Sequence, residues 1–447
     1  GGSGGEWGGD PCGRPGTHLL HVIDDAESGG LYSGTYAPAG TFTHMHTHTF
    51  TTETDIQQLL ATAALYLHIP FCHTRCHYCD FNTYAGILPM REPYVRALLR
   101  EIALAGVMAR KDDGEPRRSR TIFFGGGTPS LLTVAQVARL LDACRASFAL
   151  DEDGEITLEA NPGTLDQGQL SGLRAAGVNR LSLGSQSFDA ELLKTLGRIH
   201  SPDEIEQALR FARSAGFTSV NLDFMFGLPG QTMRHWQNTL DRALFLRPEH
   251  FSLYSLIIEE GTPFYTWVQQ GHITPGDEDL CADMYEYADE RLQNEGYVNY
   301  EISNWALPGH ESRHNLTYWR NLPYLGLGAG AHSFFAGKRF SNERDPQRYI
   351  DLLKQQRLPI VESETVGRAQ EMSETAFLAL RTAQGLHLPT FEERFATSFA
   401  SFAGDRLRPV EAAGLLEYAD DGWLRLSKRG RLLGNEVFMR LLPDDEC

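Results

Sequence analysis

Three cysteines fall within eight residues, in Cys72-His73-Thr74-Arg75-Cys76-His77-Tyr78-Cys79, and the next cysteine is Cys144. Three thiolates on one tight loop can each hold one iron of a [4Fe–4S] cubane and leave the fourth iron open. An open iron needs a small-molecule ligand. The amino and carboxylate groups of S-adenosylmethionine suit it, and an electron from a low-potential cluster can cleave the sulfonium to a 5′-deoxyadenosyl radical. A zinc knuckle and a disulfide are the alternatives. Zinc wants four closed ligands, with His73 or His77 as the candidate fourth, and a distant second pair is missing.

Other residues that could do chemistry stand further on. Gly125-Gly126-Gly127-Thr128-Pro129 lets backbone approach a ligand closely, and carbonyls there could accept from an amino group; a tight turn is the other reading. Glu159, in Leu158-Glu159-Ala160-Asn161-Pro162-Gly163, needs a partner on an otherwise apolar strand: a cofactor amine or ribose, or a core salt bridge. Gln186, Arg198 and Asp223 complete a polar ring expected at the mouth of an apolar barrel. In His310-Glu311-Ser312-Arg313-His314-Asn315-Leu316-Thr317-Tyr318-Trp319 an imidazole, an arginine and two aromatics could hold a flat anionic macrocycle. A loop packed over the barrel, with His314 hydrogen-bonded in place, explains the same residues.

The elements that position these residues alternate. Apolar strands are expected at 65–69, 121–124, 155–159, 180–183, 220–224 and 251–256, separated by amphipathic stretches such as 133–148. Six βα units of about 30 residues predict an α/β fold with a parallel, partial (β/α)6 barrel, and chemistry at the carboxyl ends of its strands. The barrel and the segment carrying His314 are expected over 61–367. Residues 368–447 read as a small winged-helix-like α+β domain. Its helices are expected at 374–382, from 391, at 410–416 and at 428–442, with a hairpin around Asp420-Asp421-Gly422. The acidic Glu411, Glu417, Asp420 and Asp421 favour a structural or protein-contact role over nucleic-acid reading there. Residues 1–60 read as a disordered extension; His44, His46 and His48 lack carboxylate or cysteine partners, and Met45 is the expected start.

The chain has 447 residues, 41% hydrophobic and 22% charged, with a net charge of −18. That balance excludes non-specific nucleic-acid binding. No apolar run approaches the roughly 20 residues needed to span a bilayer. Seven cysteines, three of them crowded, fit a reducing compartment, with Cys12, Cys144, Cys281 and Cys447 unpaired. A cytoplasmic protein of enzyme size is expected.

Taken together, these residues resemble the radical S-adenosylmethionine proteins and, within them, the heme chaperones related to oxygen-independent coproporphyrinogen oxidase. The resemblance covers about residues 64 to 442. It rests on Leu65-Tyr66-Leu67-His68-Ile69-Pro70-Phe71-Cys72, Phe124-Gly125-Gly126-Gly127-Thr128-Pro129-Ser130, Leu196-Gly197-Arg198-Ile199-His200 and Tyr300-Glu301-Ile302-Ser303-Asn304. The run His314-Asn315-Leu316-Thr317-Tyr318-Trp319, matching HNxxYW, discriminates most. The oxidase branch carries a further cysteine two residues after the third, where this chain has Phe81, and Ser185 replaces a commoner valine. The resemblance implies that Cys72, Cys76 and Cys79 ligate the [4Fe–4S] cluster. It implies that Tyr66, Gly126 and Glu159 meet one S-adenosylmethionine. Tyr78, Gly127, Thr128, Gln186, Arg198 and Asp223 match positions for a second molecule in the oxidase. His314, Tyr318 and Trp319 are the expected heme residues. The implied function is heme binding and transfer to apo-hemoproteins, with a cluster that supports assembly, a homodimer being one form. The alternative is anaerobic oxidation of coproporphyrinogen III to protoporphyrinogen IX.

Overall fold

In the computed structural model, which describes residues 56–442, six strands form the heart of one sheet. They are β1 (Ala64–Ile69), β2 (Arg118–Gly126), β3 (Ala149–Ala160), β4 (Arg180–Gln186), β5 (Val220–Phe226) and β6 (His250–Ser255), each parallel to the next. Helices return the chain between them, as parallel pairing requires. The helix Val134–Ser147 begins in a capping box between Thr133 and Gln136 and buries Val137, Leu140, Leu141 and Cys144 against the sheet.

The sheet runs further than the expected six strands. β7 (Val298–Glu301), β8 (Asn304–Ala306), β9 (Tyr324–Leu327), β10 (His332–Phe335), β11 (Lys338–Asn342) and β12 (Ile360–Thr365) extend it. The order of the twelve strands is β12-β11-β10-β9-β1-β2-β3-β4-β5-β6-β8-β7. β9 lies parallel to β1, whereas β8 closes the far side antiparallel to β6. The result is a mixed, partial barrel.

Alternation along the strands sorts its two faces. Leu65, Leu67, Ile122, Phe124, Leu158, Leu181, Leu183, Leu222, Phe224 and Leu253 join the helices in the main core. The lumen face carries Tyr66, Phe123, Thr157, Arg180, Ser182, Asn221, Asp223, His250 and Ser252. The expected apolar barrel is therefore corrected: the polar residues run the depth of the lumen and are not confined to its mouth. Parallel sheets are usually covered by apolar side chains on both faces, so a polar lumen departs from ordinary core packing.

Residues 372–441 contribute a second apolar core, including Phe377, Phe391, Phe399, Leu407, Leu424 and Val437. It is built on the helices Arg368–Leu380, Leu388–Phe395 and Phe399–Ala412 and on a small antiparallel sheet of Leu386–His387, Trp423–Leu426 and Leu416–Tyr418. The single helix expected over 428–442 is instead broken into Lys428–Leu432, Gly434–Phe438 and a 3-10 turn at Met439–Leu441. Gly434 sits at the break, where an added Cβ would meet the Phe438 ring at 2.9 Å. Of the expected amino-terminal extension, Ile56–Leu60 forms a short helix; residues 1–55, with Met45 and the three histidines, lie outside the described residues. Among the described residues no helix is long and apolar enough to cross a membrane.

Candidate cluster and cofactor site

The cysteine loop leaves the carboxyl end of β1. Phe71 and Cys72 pair in parallel with Tyr84 and Ala85, which closes the loop on itself. Outer staples hold it: His77 N donates to Leu196 O (3.0 Å) and Phe264 N to His77 O (3.0 Å). Each cysteine sulfur then meets its own polar neighbour. Thr128 Oγ1 donates to Cys72 Sγ (3.6 Å), Arg198 Nη1 donates to Cys76 Sγ (3.5 Å), and Thr83 Oγ1 lies 3.8 Å from Cys79 Sγ. Burial raises the Cys72 and Cys79 thiols above their ordinary range, while the threonine hydroxyls work in the opposite direction.

The two histidines of the loop face elsewhere. His73 is exposed, and His77 bonds through Nδ1 to Thr195 O (2.9 Å) with its ring 4.8 Å from that of Trp267. Among the described residues no three His, Cys, Asp or Glu side chains converge on one point as a single metal ion requires. The zinc alternative thus lacks its closed ligand set. A cubane fits the three thiols better, because each thiolate serves a different iron.

The glycine run braces this loop. Gly127 N donates to Ile69 O (2.9 Å) and Thr128 N to Phe71 O (2.8 Å), and a Cβ on Gly127 would lie 2.7 Å from Phe71 O. Gly126 has φ +108°, and a Cβ there would sit 2.4 Å from the His68 ring. That ring is locked by Tyr66 Oη on Nδ1 (3.0 Å) and Asn82 O on Nε2 (2.9 Å). Burial lowers its pKa to about 4, so it is neutral. Part of the glycine requirement is therefore packing against β1 and the cysteine loop.

Below the loop, two carboxylates share the lumen. Gly126 N donates to Glu159 Oε2 (3.1 Å). Asp223 accepts from Asn221 Nδ2 (2.6 Å) and Ser182 Oγ (3.2 Å). Burial, with the Asp223 charge second, pushes Glu159 up to about 8, and burial raises Asp223 as well. Two acids held together without a cation in ion-pair reach suit a positively charged ligand. The sulfonium and ammonium of S-adenosylmethionine have that charge.

Arg198 links the lumen to the loop, since its Nη2 also donates to Gly184 O (2.5 Å). Gln186 stands at a bulge between β4 and β5 with φ +64°, a conformation kept where surrounding structure enforces it. Tyr78 packs beside Leu192, Met225 and Phe264. The fold thus gathers Cys72, Cys76, Cys79, Tyr78, Gly127, Thr128 and Arg198 around the loop, with Tyr66, Gly126, Glu159 and Asp223 beneath it. Thr83 and His68 belong with them and were not foreseen; only their closeness to the cysteines and the glycine run pointed that way.

His314, Tyr318 and Trp319 do not form one face: His314 and Trp319 pack in different places. His314 is 1% exposed and stacks on Phe123 with ring centroids 5.0 Å apart. Its Nδ1 bonds Thr121 Oγ1 (2.8 Å) and its Nε2 bonds Tyr318 Oη (2.8 Å). Burial, reinforced by the Arg180 charge, lowers its pKa to about 3. Trp319 leaves the opposite side of the same Arg313–Trp319 helix, joins the carboxyl-terminal core and lies 5.9 Å from the Arg381 guanidinium.

Comparison with known proteins follows from this geometry. The radical SAM superfamily model matches residues 66–243, and the HemN C-terminal domain model matches residues 367–433. Heme chaperone HemW of Bacillus subtilis is 39% identical over 382 residues, which cover 85% of this chain and 99% of that protein. The chain belongs to the HemW family. HemW of Escherichia coli is 36% identical over 398 residues, covering 86% and 99% of the two chains. Among solved structures, the radical SAM enzyme coproporphyrinogen III oxidase (HemN) of E. coli superposes with a TM-score of 0.74 at 26% identity, covering 88% of this chain and 93% of its own. Membership of a radical SAM family implies a [4Fe–4S] cluster and S-adenosylmethionine, and the three thiols, their donors and the paired acids fit both.

Proposed function

We propose that this HemW-family protein is a heme chaperone, which binds heme and passes it to apo-hemoproteins in the cytoplasm. The observation that carries the reading is identity along almost the whole length of relatives named heme chaperone HemW. Phe81 supports it. This side chain is 62% exposed two residues beyond Cys79, where the oxidase branch has a further cysteine. A reducing compartment suits the free thiols of the loop.

In this reading Cys72, Cys76 and Cys79 hold the cluster. When bound, the cluster supplies a one-electron donor beside the sulfonium. Tyr66, Gly126, Glu159 and Asp223 orient S-adenosylmethionine in the lumen, the two acids facing its cationic groups. Thr128, Thr83 and Arg198 hold the three thiolates through hydrogen bonds, and Tyr78 packs against the loop. Gly127 and Gln186 shape the backbone around them. With its imidazole locked, His314 supports the barrel, and heme is held by other side chains.

Titration of hemin into anaerobically reconstituted protein, followed by addition of an apo-hemoprotein, tests the proposal. Stoichiometric hemin binding and appearance of the acceptor's holo spectrum are expected. Incubation with coproporphyrinogen III, S-adenosylmethionine and reductant should yield no protoporphyrinogen. Turnover in that assay, with no transfer to the acceptor, would establish the oxidase instead.

A further inference from the structure

Among the described residues, Arg180 is a lumen cation with no ion pair. Arg180 opens β4 and stands in register with Thr157 of β3, so both side chains leave the sheet on the lumen side. Arg180 is 4% exposed and Thr157 fully buried. Neither Arg180 Nε nor Thr157 Oγ1 has a hydrogen-bond partner, and the guanidinium forms no ion pair with a described residue. Burying a charge in this state costs several kcal/mol, as an order of magnitude, unless something pairs with it.

No described carboxylate lies in ion-pair reach, although the Arg180 charge is felt by Glu159 and Asp223 and acts to lower both. His314 has both ring nitrogens bonded, as above. His250 bonds Asn221 Oδ1 through Nδ1 (2.6 Å) and Tyr300 Oη through Nε2 (2.7 Å). Burial, followed by the charge of Arg180, depresses the pKa of both histidines, which leaves two neutral rings beside the guanidinium. Asp223 is taken up by Asn221 and Ser182, and Glu159 by Gly126 N. The lumen is thus acidic towards the cysteine loop and cationic at its floor, with two idle donors side by side on the floor.

We propose that Arg180 and Thr157 form a carboxylate-binding subsite at the floor of the lumen, entered from the mouth beside the cysteine loop. One guanidinium and one hydroxyl match the two oxygens and single charge of a carboxylate; a phosphate dianion would leave charge unmatched. The methionyl carboxylate of S-adenosylmethionine belongs with its amino group at the open iron, so the ligand is a tetrapyrrole propionate. This assignment rests on the heme-chaperone reading.

The test uses reconstituted full-length protein and the variants Arg180→Gln, Arg180→Lys and Thr157→Val. S-adenosylmethionine is titrated by calorimetry, and hemin and hemin dimethyl ester by absorbance. Loss of a charge-assisted bond should weaken the carboxylate ligand by roughly ten- to a hundredfold in Arg180→Gln, with partial recovery in Arg180→Lys and a smaller loss in Thr157→Val. S-adenosylmethionine should bind the variants as it binds the parent, and a loss confined to S-adenosylmethionine would overturn the subsite. A loss for hemin but not for its dimethyl ester assigns a propionate. Without ligand, Arg180→Gln should melt no lower than the parent, because it removes an unpaired buried charge. Parental affinity for both ligands in folded Arg180→Gln and Thr157→Val would overturn the subsite. If the parent itself fails to bind hemin, the chaperone reading falls and the propionate assignment with it, whereas failure of the subsite alone leaves the parent's hemin binding intact.

Discussion

The cysteine loop and the Arg313–Trp319 helix are the two densest runs of chemically capable side chains, and the fold treats them oppositely. In the loop, three thiols stay half-buried, each beside a separate hydrogen-bond partner, with the nearby acids left short of a cation. In the helix, His314 and Tyr318 are satisfied and Trp319 is packed away, with only its Nε1 unpartnered. Glu155 accepts from Arg313 N and His314 N (3.0 Å each), His314 and Tyr318 bond each other, and Trp319 sits in a different core. Residue types and spacing were equally suggestive in both. Unspent bonding capacity is concentrated in the loop and the lumen beneath it, where Arg180 and Thr157 also carry unpartnered donors.

The sharpest way to break this contrast is to remove one ligand from each region. Cys76→Ala should abolish cluster reconstitution, read as iron and sulfide per chain; Cys144→Ala, in the buried face of the helix Val134–Ser147, should retain both. Parental iron content in Cys76→Ala would remove the cubane assignment.

His314→Ala should do the reverse. It deletes a fully buried ring and leaves Thr121 and Tyr318 without their shared partner, at a cost of about 2–4 kcal/mol in stability. Hemin binding by the folded variant should keep the parent's Soret position. A shifted or lost Soret band at unchanged melting temperature would restore His314 as the axial ligand.

A smaller effect sharpens the site itself. Gly126→Ala places a Cβ into the His68 ring at a positive φ, a strain of roughly 1–3 kcal/mol. It should weaken S-adenosylmethionine binding, measured by calorimetry, with iron content retained. Equal loss of iron and of cofactor affinity would show that the glycine only braces the cysteine loop.

How far the sequence reached depended on how local the signal was. The cysteine spacing and the six βα units were legible because each is encoded within one short segment. The β7–β12 extension was not, since strands such as Asn304–Ala306 are only a few residues long and gain their pairing from distant partners. Polarity of the lumen was present in the alternation Val220-Asn221-Leu222-Asp223-Phe224 and Leu181-Ser182-Leu183, but reads as ordinary strand until two faces are distinguished. The HNxxYW run reads two ways because a buried, hydrogen-bonded histidine and a metal-binding one are written with the same letter.

The last and mildest prediction concerns the acids beneath the loop. Burial and the Asp223 charge hold Glu159 at about 8, so near neutrality much of it is protonated in the free protein. A cationic ligand favours the carboxylate and lowers that value. Binding S-adenosylmethionine at about pH 7 should therefore release protons, and affinity should rise as pH climbs towards the free-protein value and level off above it. Stability of the ligand-free protein carries the matching sign. A raised carboxyl pKa favours the folded state below the unfolded value, and that contribution is lost as pH rises towards about 8. Calorimetry in buffers of differing ionisation enthalpy measures the released protons directly. Glu159→Gln should abolish most of the release and flatten the pH dependence. Proton release equal to the parent's in that variant would move the titrating group to Asp223 or elsewhere in the lumen, and with it the place where the ligand's positive charge is received.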